Sequence, residues 1–192
     1  MARRMARRMA GRMARRMADA PGRLARALAR RRVTLGFVGA LVVVLLSLPT
    51  VATWTAGLIV ALIGESIRFW AAGHLEKGRE VTRSGPYRFV RHPLYVGSTI
   101  IAGGVALASH SGIVALVIAL YMAFTLAAAV RTEEADLRRA FGSTYDDYSA
   151  SRAPAMTRRF SFERAIRNRE YRAVAGVALG FALLGLKALA LQ

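Results

Sequence analysis

The sequence predicts an all-α, polytopic membrane protein with about five transmembrane helices and a further amphipathic helix on the cytoplasmic side. Two observations carry that prediction. Apolar residues make up 55% of the 192-residue chain and fall into unbroken blocks of about 16 to 20 residues, the length that crosses a bilayer core as a helix. Their continuity argues against barrel strands, which alternate. The basic charge lies between the blocks, with twelve Arg in 1–32, five Lys or Arg in 77–91 and ten in 131–172.

Residues 1–32 repeat Met-Ala-Arg-Arg with a period of four. They form a basic tail, either disordered or lying on anionic lipid as a helix. A third reading starts translation at Met17. No cleavage site follows an apolar run here, so the tail does not read as a secretory signal. Residues 33–192 form the membrane domain. The apolar blocks are 33–48, ended by Pro49, then 54–72, 94–109, 113–130 and 173–191. The connectors 49–53 and 110–112 carry no Lys or Arg. The positive-inside rule then puts the N-terminus in the cytoplasm and the C-terminus outside, as in a bacterial inner-membrane protein. Residues 133–152 differ from the blocks. Leu137, Phe141, Tyr145 and Tyr148 recur at helical spacing and predict an amphipathic helix packed under the membrane domain. Gly176 and Gly180 have the spacing of close helix packing, most simply within the chain. The oligomeric state stays open.

The net charge of +18 raises nucleic acid as a partner, but its placement beside apolar blocks argues for membrane lipids and against nucleic acid. The chain has no Cys and three scattered His, so disulfides and thiolate metal sites are excluded and a zinc site is disfavoured.

Ionisable residues inside a span suggest function. Glu65 and Arg68 share a face of the second block; a structural ion pair and a site role weigh evenly. The densest signal is 84–98, Ser-Gly-Pro-Tyr-Arg-Phe-Val-Arg-His-Pro-Leu-Tyr-Val-Gly-Ser. Gly85-Pro86 signals a turn. Pro93 suits the first position of a helix, with His92 as its N-cap. That helix start favours an anionic group, and Tyr87 and Tyr95 offer faces to a cation. An interfacial belt of aromatics and arginines explains the Tyr and Arg, but not the conjunction of motifs.

Gly85-Pro86-Tyr87, Arg91-His92-Pro93-Leu94-Tyr95-Val96-Gly97 and Glu133-Glu134 with Leu137, Phe141-Gly142, Tyr145 and Tyr148 together resemble the isoprenylcysteine carboxyl methyltransferase and phospholipid methyltransferase superfamily. The resemblance covers about residues 54–155. It implies an integral membrane enzyme that uses S-adenosylmethionine without a Rossmann sheet, and no strand–GxGxxG–helix unit occurs here. It implies that Val81, Tyr87, His92, Pro93, Leu94, Tyr95 and Glu133 hold the cofactor. Arg131 is the nearest counterpart of a substrate-contacting arginine, although its spacing to the acidic pair is shorter than in the family. Glu134 joins His92 and Glu133 as a group able to take a proton from an amine acceptor. The expected cavity lies between the start of the third span and the acidic pair. The acceptor is expected to be lipophilic or small. Asn168-Arg169-Glu170-Tyr171 is similar to bacterial members but has no assigned role. Two other readings are an NADPH-dependent enzyme resembling sterol reductases and a non-enzymatic protein of the same fold.

Overall fold

The computed structural model describes residues 39–191, and these are helical with no strand. The basic tail and the start of the first apolar block lie outside the described residues. Helix α1 occupies 39–46. Then come α2 (Val51–Ala72), a 3-10 turn (Gly85–Arg88), α3 (Pro93–Ser109) and α4 (Gly112–Phe141). Helices α5 (Ser143–Ser149), α6 (Phe162–Arg167) and α7 (Tyr171–Ala190) complete the chain.

Helices α2, α4 and α7 are long and apolar enough to cross a membrane, while α3 is apolar but shorter. Among the described residues the second to fifth blocks therefore fall on helices where the sequence puts them, and three of these helices have spanning length. The amphipathic helix expected over 133–152 does not exist as one element. Its first half continues α4 without a break to Phe141. Gly142 then turns the chain at φ 52°, ψ −125°, and a two-turn α5 follows. The positive φ needs glycine, so the break is written at Gly142. The apolar face still docks, with Tyr145 1% exposed.

Each end of the hairpins has a local cause. Thr50 and Thr53 form a reciprocal capping box at the start of α2. Between α3 and α4, His110 adopts the left-handed conformation and Ser111 caps α4, which gives the tight turn expected at 110–112.

The core is the antiparallel α2–α3 pair. Gly57 faces Gly104 and Gly64 faces Gly97. A Cβ on Gly104 would lie 2.6 Å from the Gly57 carbonyl oxygen, and one on Gly64 would lie 2.7 Å from that of Gly97. Ala61 and Ala108, both fully buried, fill the same seam. Backbones this close pack by van der Waals contact, the main attraction between helices in lipid. Helix α7 joins through Phe181 and Leu184, and the Trp54 indole N–H donates to the Phe181 carbonyl at 2.8 Å. Among the described residues a Cβ on Gly176 or Gly180 would touch nothing within 4 Å, so their close packing within the chain is not found there. That face of α7 is open. At the other end of α7, Lys187 donates to the carbonyls of Val44 and Leu45 at 2.7 and 2.9 Å, which ties α7 to α1.

Candidate functional site

The charged ends of the helices gather the predicted motifs. Pro93 begins α3 and His92 is its N-cap residue, without a side-chain cap bond. The His92 ring stacks on Tyr95, with centroids 5.5 Å apart. Its Nε2 lies 3.3 Å from Glu134 Oε1 and its Nδ1 lies 3.8 Å from Glu133 Oε2. An ionised carboxylate only accepts hydrogen bonds, so Nε2 is the donor to Glu134 in the tautomer that carries its proton there. Glu134 also accepts from Arg91 at 3.2 Å and from Arg138 at 3.4 Å. Glu133 is about half exposed and has no other ion partner than His92 among the described residues. The two motifs, with His92 and Glu134 42 residues apart in sequence, thus meet at one end of the bundle.

Tyrosines from α5 close the cluster from the side. The Tyr148 hydroxyl donates to the Tyr87 carbonyl at 2.8 Å, so α5 grips the 3-10 turn. The Arg138 guanidinium lies 5.6 Å from the Tyr145 ring centroid. Burial first, and then the Glu134 charge, push the Tyr145 phenol up to about 12 against the opposing pull of Arg91 and Arg138. Burial pushes Tyr148 up to about 12 as well, against the pull of Arg91. Burial first, and then the Glu133 charge, raise Tyr87 further. All three are neutral hydroxyls at working pH.

Beneath this cluster, Arg68 is held mainly by a residue to which sequence reasoning gave no role. Its Nε lies 2.8 Å from Glu170 Oε1 but 3.9 Å from Glu65 Oε2. The Glu65–Arg68 pair read from helical spacing is therefore the weaker of the two contacts. Arg68 Nη1 donates to the Leu94 carbonyl at 3.3 Å and to Ser98 Oγ at 2.5 Å. It thus joins α7 to the first turn of α3.

Asn168 gives the neighbouring motif its role. Its amide donates to the carbonyls of Ala72 and Leu75 at 2.9 and 2.8 Å, where the end of α2 leaves acceptors free. A strap leads up to it. Arg158 pairs with Glu80 at 2.7 Å, Arg164 with Glu76 at 3.3 Å, and Phe160 packs on Phe69 and His74. His74 contacts Ser84 Oγ at 3.2 Å. Burial, then Arg164 and Arg158, hold its imidazole below the usual value of 6.5. Gly85, at φ 56°, lies against that ring, where a Cβ would come within 2.6 Å of Cγ. Such long-range Arg–Glu pairs have no periodic signature in sequence.

Of the predicted residues, Tyr87, His92, Tyr95, Glu133 and Glu134 stand together. Pro93 is fully buried, and Val81 is buried in the approach to the turn. Leu94 contributes its carbonyl to Arg68. Arg131 is exposed, and among the described residues it is not ion-paired into the cluster. A cleft of about 150 Å³ lies beside the cluster, lined by Tyr87 and Tyr148 but not by His92, Pro93, Leu94, Tyr95 or Glu133. Pockets for drug-sized ligands run to roughly 300–1,000 Å³. Where the cavity was expected, His92 Nδ1 and Glu133 Oε2 stand 3.8 Å apart. The donor set suits a molecule with a cation, a carboxylate and a diol, and admitting the whole of it requires those two side chains to part.

Helices of membrane-crossing length bring a histidine and two carboxylates together at one end, and the family match makes the chain a methyltransferase-like membrane protein. It belongs to the phospholipid methyltransferase family, which it matches over residues 37–144. The chain is 32% identical over 158 residues to the nickel-cobalt-cadmium resistance protein NccN of Alcaligenes xylosoxydans xylosoxydans, spanning 76% of this chain and 73% of that protein. It is 35% identical over 120 residues to the cobalt-zinc-cadmium resistance protein CzcN of Cupriavidus metallidurans, spanning 58% of this chain and 55% of that protein. No solved structure matches the chain.

Proposed function

We propose that the chain transfers a methyl group from S-adenosylmethionine to a lipophilic or small acceptor at the cytoplasmic face of the bacterial inner membrane. The observation that supports it most is the meeting of His92 with Glu133 and Glu134 at the start of α3. The orientation rests on the basic charge of the loops at that end.

S-adenosylmethionine, when bound, supplies a methyl group on a cationic sulfur. Glu133, half exposed and lightly held, accepts hydrogen bonds from a diol or ammonium. The α3 N-terminus favours a carboxylate, and the faces of Tyr87 and Tyr95 favour a cation. Glu134 is already engaged by Arg91, Arg138 and His92, so its part is to orient His92. His92 then takes the proton of an amine acceptor, whereas a carboxylate acceptor needs no base. Alignment of acceptor and methyl supplies much of the rate.

The test is radiolabelled methyl transfer into membranes carrying the full chain, with S-adenosylhomocysteine binding measured on purified protein. His92→Ala and Glu133→Ala should each lower labelling by about 10²-fold or more while the protein still inserts. Full activity in either variant would count against the site. Binding of NADPH in place of S-adenosylhomocysteine would favour the reductase reading. Because the two relatives are named for metal resistance, we extend the proposal to that setting. Tolerance of cobalt or cadmium conferred on a sensitive host should depend on His92.

A further inference from the structure

Three ionisable side chains lie beneath the His92 cluster, and methyl transfer uses none of them. Glu65, on α2, is 8% exposed, and Glu170, at the start of α7, is 4% exposed. Both carboxylates draw on one guanidinium. The Nε of Arg68 is 2.8 Å from Glu170 Oε1 and 3.9 Å from Glu65 Oε2. The shorter contact is an ion pair whose angle falls outside hydrogen-bond geometry. Both oxygens of Glu65 are buried without any hydrogen-bond partner. Among the described residues, no second Lys or Arg pairs with either carboxylate. Fully ionised, the trio would hold one uncompensated negative charge. An unpaired carboxylate out of water costs far more than a neutral acid, and two carboxylates sharing a site do not both ionise readily. A further cation must complete the trio. Among the described residues no group of three or more His, Asp or Glu could hold a metal ion, and a proton is the one cation that needs no cavity.

We propose that Glu65, Arg68 and Glu170 form a proton-binding site in which Glu65 carries the proton and Arg68 neutralises Glu170. The site stands independently of methyl transfer. It also has a bearing on α3. With Glu65 neutral, Arg68 belongs to Glu170, and its Nη1 holds the Leu94 carbonyl and Ser98 Oγ. Loss of the proton gives Arg68 a second anion, one turn back along α2, and draws it away from the first turn of α3, where His92 is the N-cap. The charges that act on Glu65 are those of Glu170 and Arg68. Tyr87, from the 3-10 turn, feels the same two charges and is itself a neutral hydroxyl. The residues that α3 brings to Arg68, Leu94 and Ser98, do not titrate.

The test reads the full chain in detergent at pH 7 by infrared spectroscopy, for the carbonyl stretch of a protonated carboxylic acid. The wild type should show a band that Glu65→Gln removes. Glu170→Gln keeps Glu65 but frees Arg68 to pair with it, so it should remove the same band. Glutamine copies the shape and neutrality of the acid, so Glu65→Gln should unfold within about 2 °C of the wild type. As the pH is raised, the band and the hydrogen-exchange protection of the first two turns of α3 should be lost together. If Glu170→Gln does not fold, Glu65→Gln carries the test alone. The proposal is overturned by the absence of a band in the wild type, by a band that survives either variant, or by protection that changes without the band. Failure of Glu65→Gln to fold overturns it as well, because the fold would then need an ionised carboxylate at 65.

Discussion

The α2–α3 pair and α4 hold opposite halves of the candidate site and are built differently. The pair is sealed by glycine and alanine, with backbone against backbone. Helix α4 is the most apolar of the spans, and only Val114, Ala128 and Ala135 along its 30 residues are buried. His92 and Tyr95 therefore stand on a tightly packed frame, while Glu133 and Glu134 ride on a helix with few buried side chains among the described residues. The difference shows where a closed site can open. Parting His92 from Glu133 asks only the half-exposed Glu133 side chain or its helix to move and leaves α2 and α3 in place.

The strongest way to break this contrast is in the seam. Gly64→Leu must push apart two backbones and should destabilise the protein by about 3 kcal/mol or more. Gly180→Leu on the open face of α7 should be close to neutral, and thermal unfolding in detergent compares the two. Asn168→Ala, which uncaps the end of α2, should cost about 1–2 kcal/mol for two lost hydrogen bonds. Tyr148→Phe frees α5 from the Tyr87 carbonyl and should cost about 1 kcal/mol. Hydrogen exchange should then rise in 133–149 but not in α3.

The smallest effect is a pH dependence at the strap. Folding lowers the His74 pKa, so the unfolded chain takes up that proton first. His74 therefore contributes stability above pH 6.5 that is lost as the pH falls through 6.5 toward the lower folded value. The unfolding temperature should be lower at pH 5.5 than at pH 7.5, with a smaller drop in His74→Gln.

Much of this was legible in sequence because it depends on local rules. Apolar block length, Pro93 at a helix start and the Gly85-Pro86 turn are each set by a few neighbouring residues. The meeting of His92 with the Glu-Glu pair was legible through a family resemblance and not through spacing. What escaped was long-range. Nothing near Glu170 announces Arg68, about a hundred positions earlier, as its partner. The glycines that pack, 57, 64, 97 and 104, repeat every seven residues in two separate helices. The more familiar spacing at 176 and 180 drew the packing reading, and it meets no neighbour among the described residues. Spacing along residues 133–152 showed which side chains dock, but it hid the break at Gly142, where a single backbone angle divides one apparent helix into two.

Helix α4 is 30 residues long, roughly 45 Å at 1.5 Å per residue, while a bilayer core is about 30 Å thick. An upright α4 overshoots the hydrocarbon by some three turns, and Glu133 and Glu134 lie in that overshoot. An acyl-chain acceptor would have to rise out of the oily layer to meet them, with its tails still immersed. Bilayer thickness would then tune turnover, and the same protein reconstituted in thinner and thicker lipid should work at different rates.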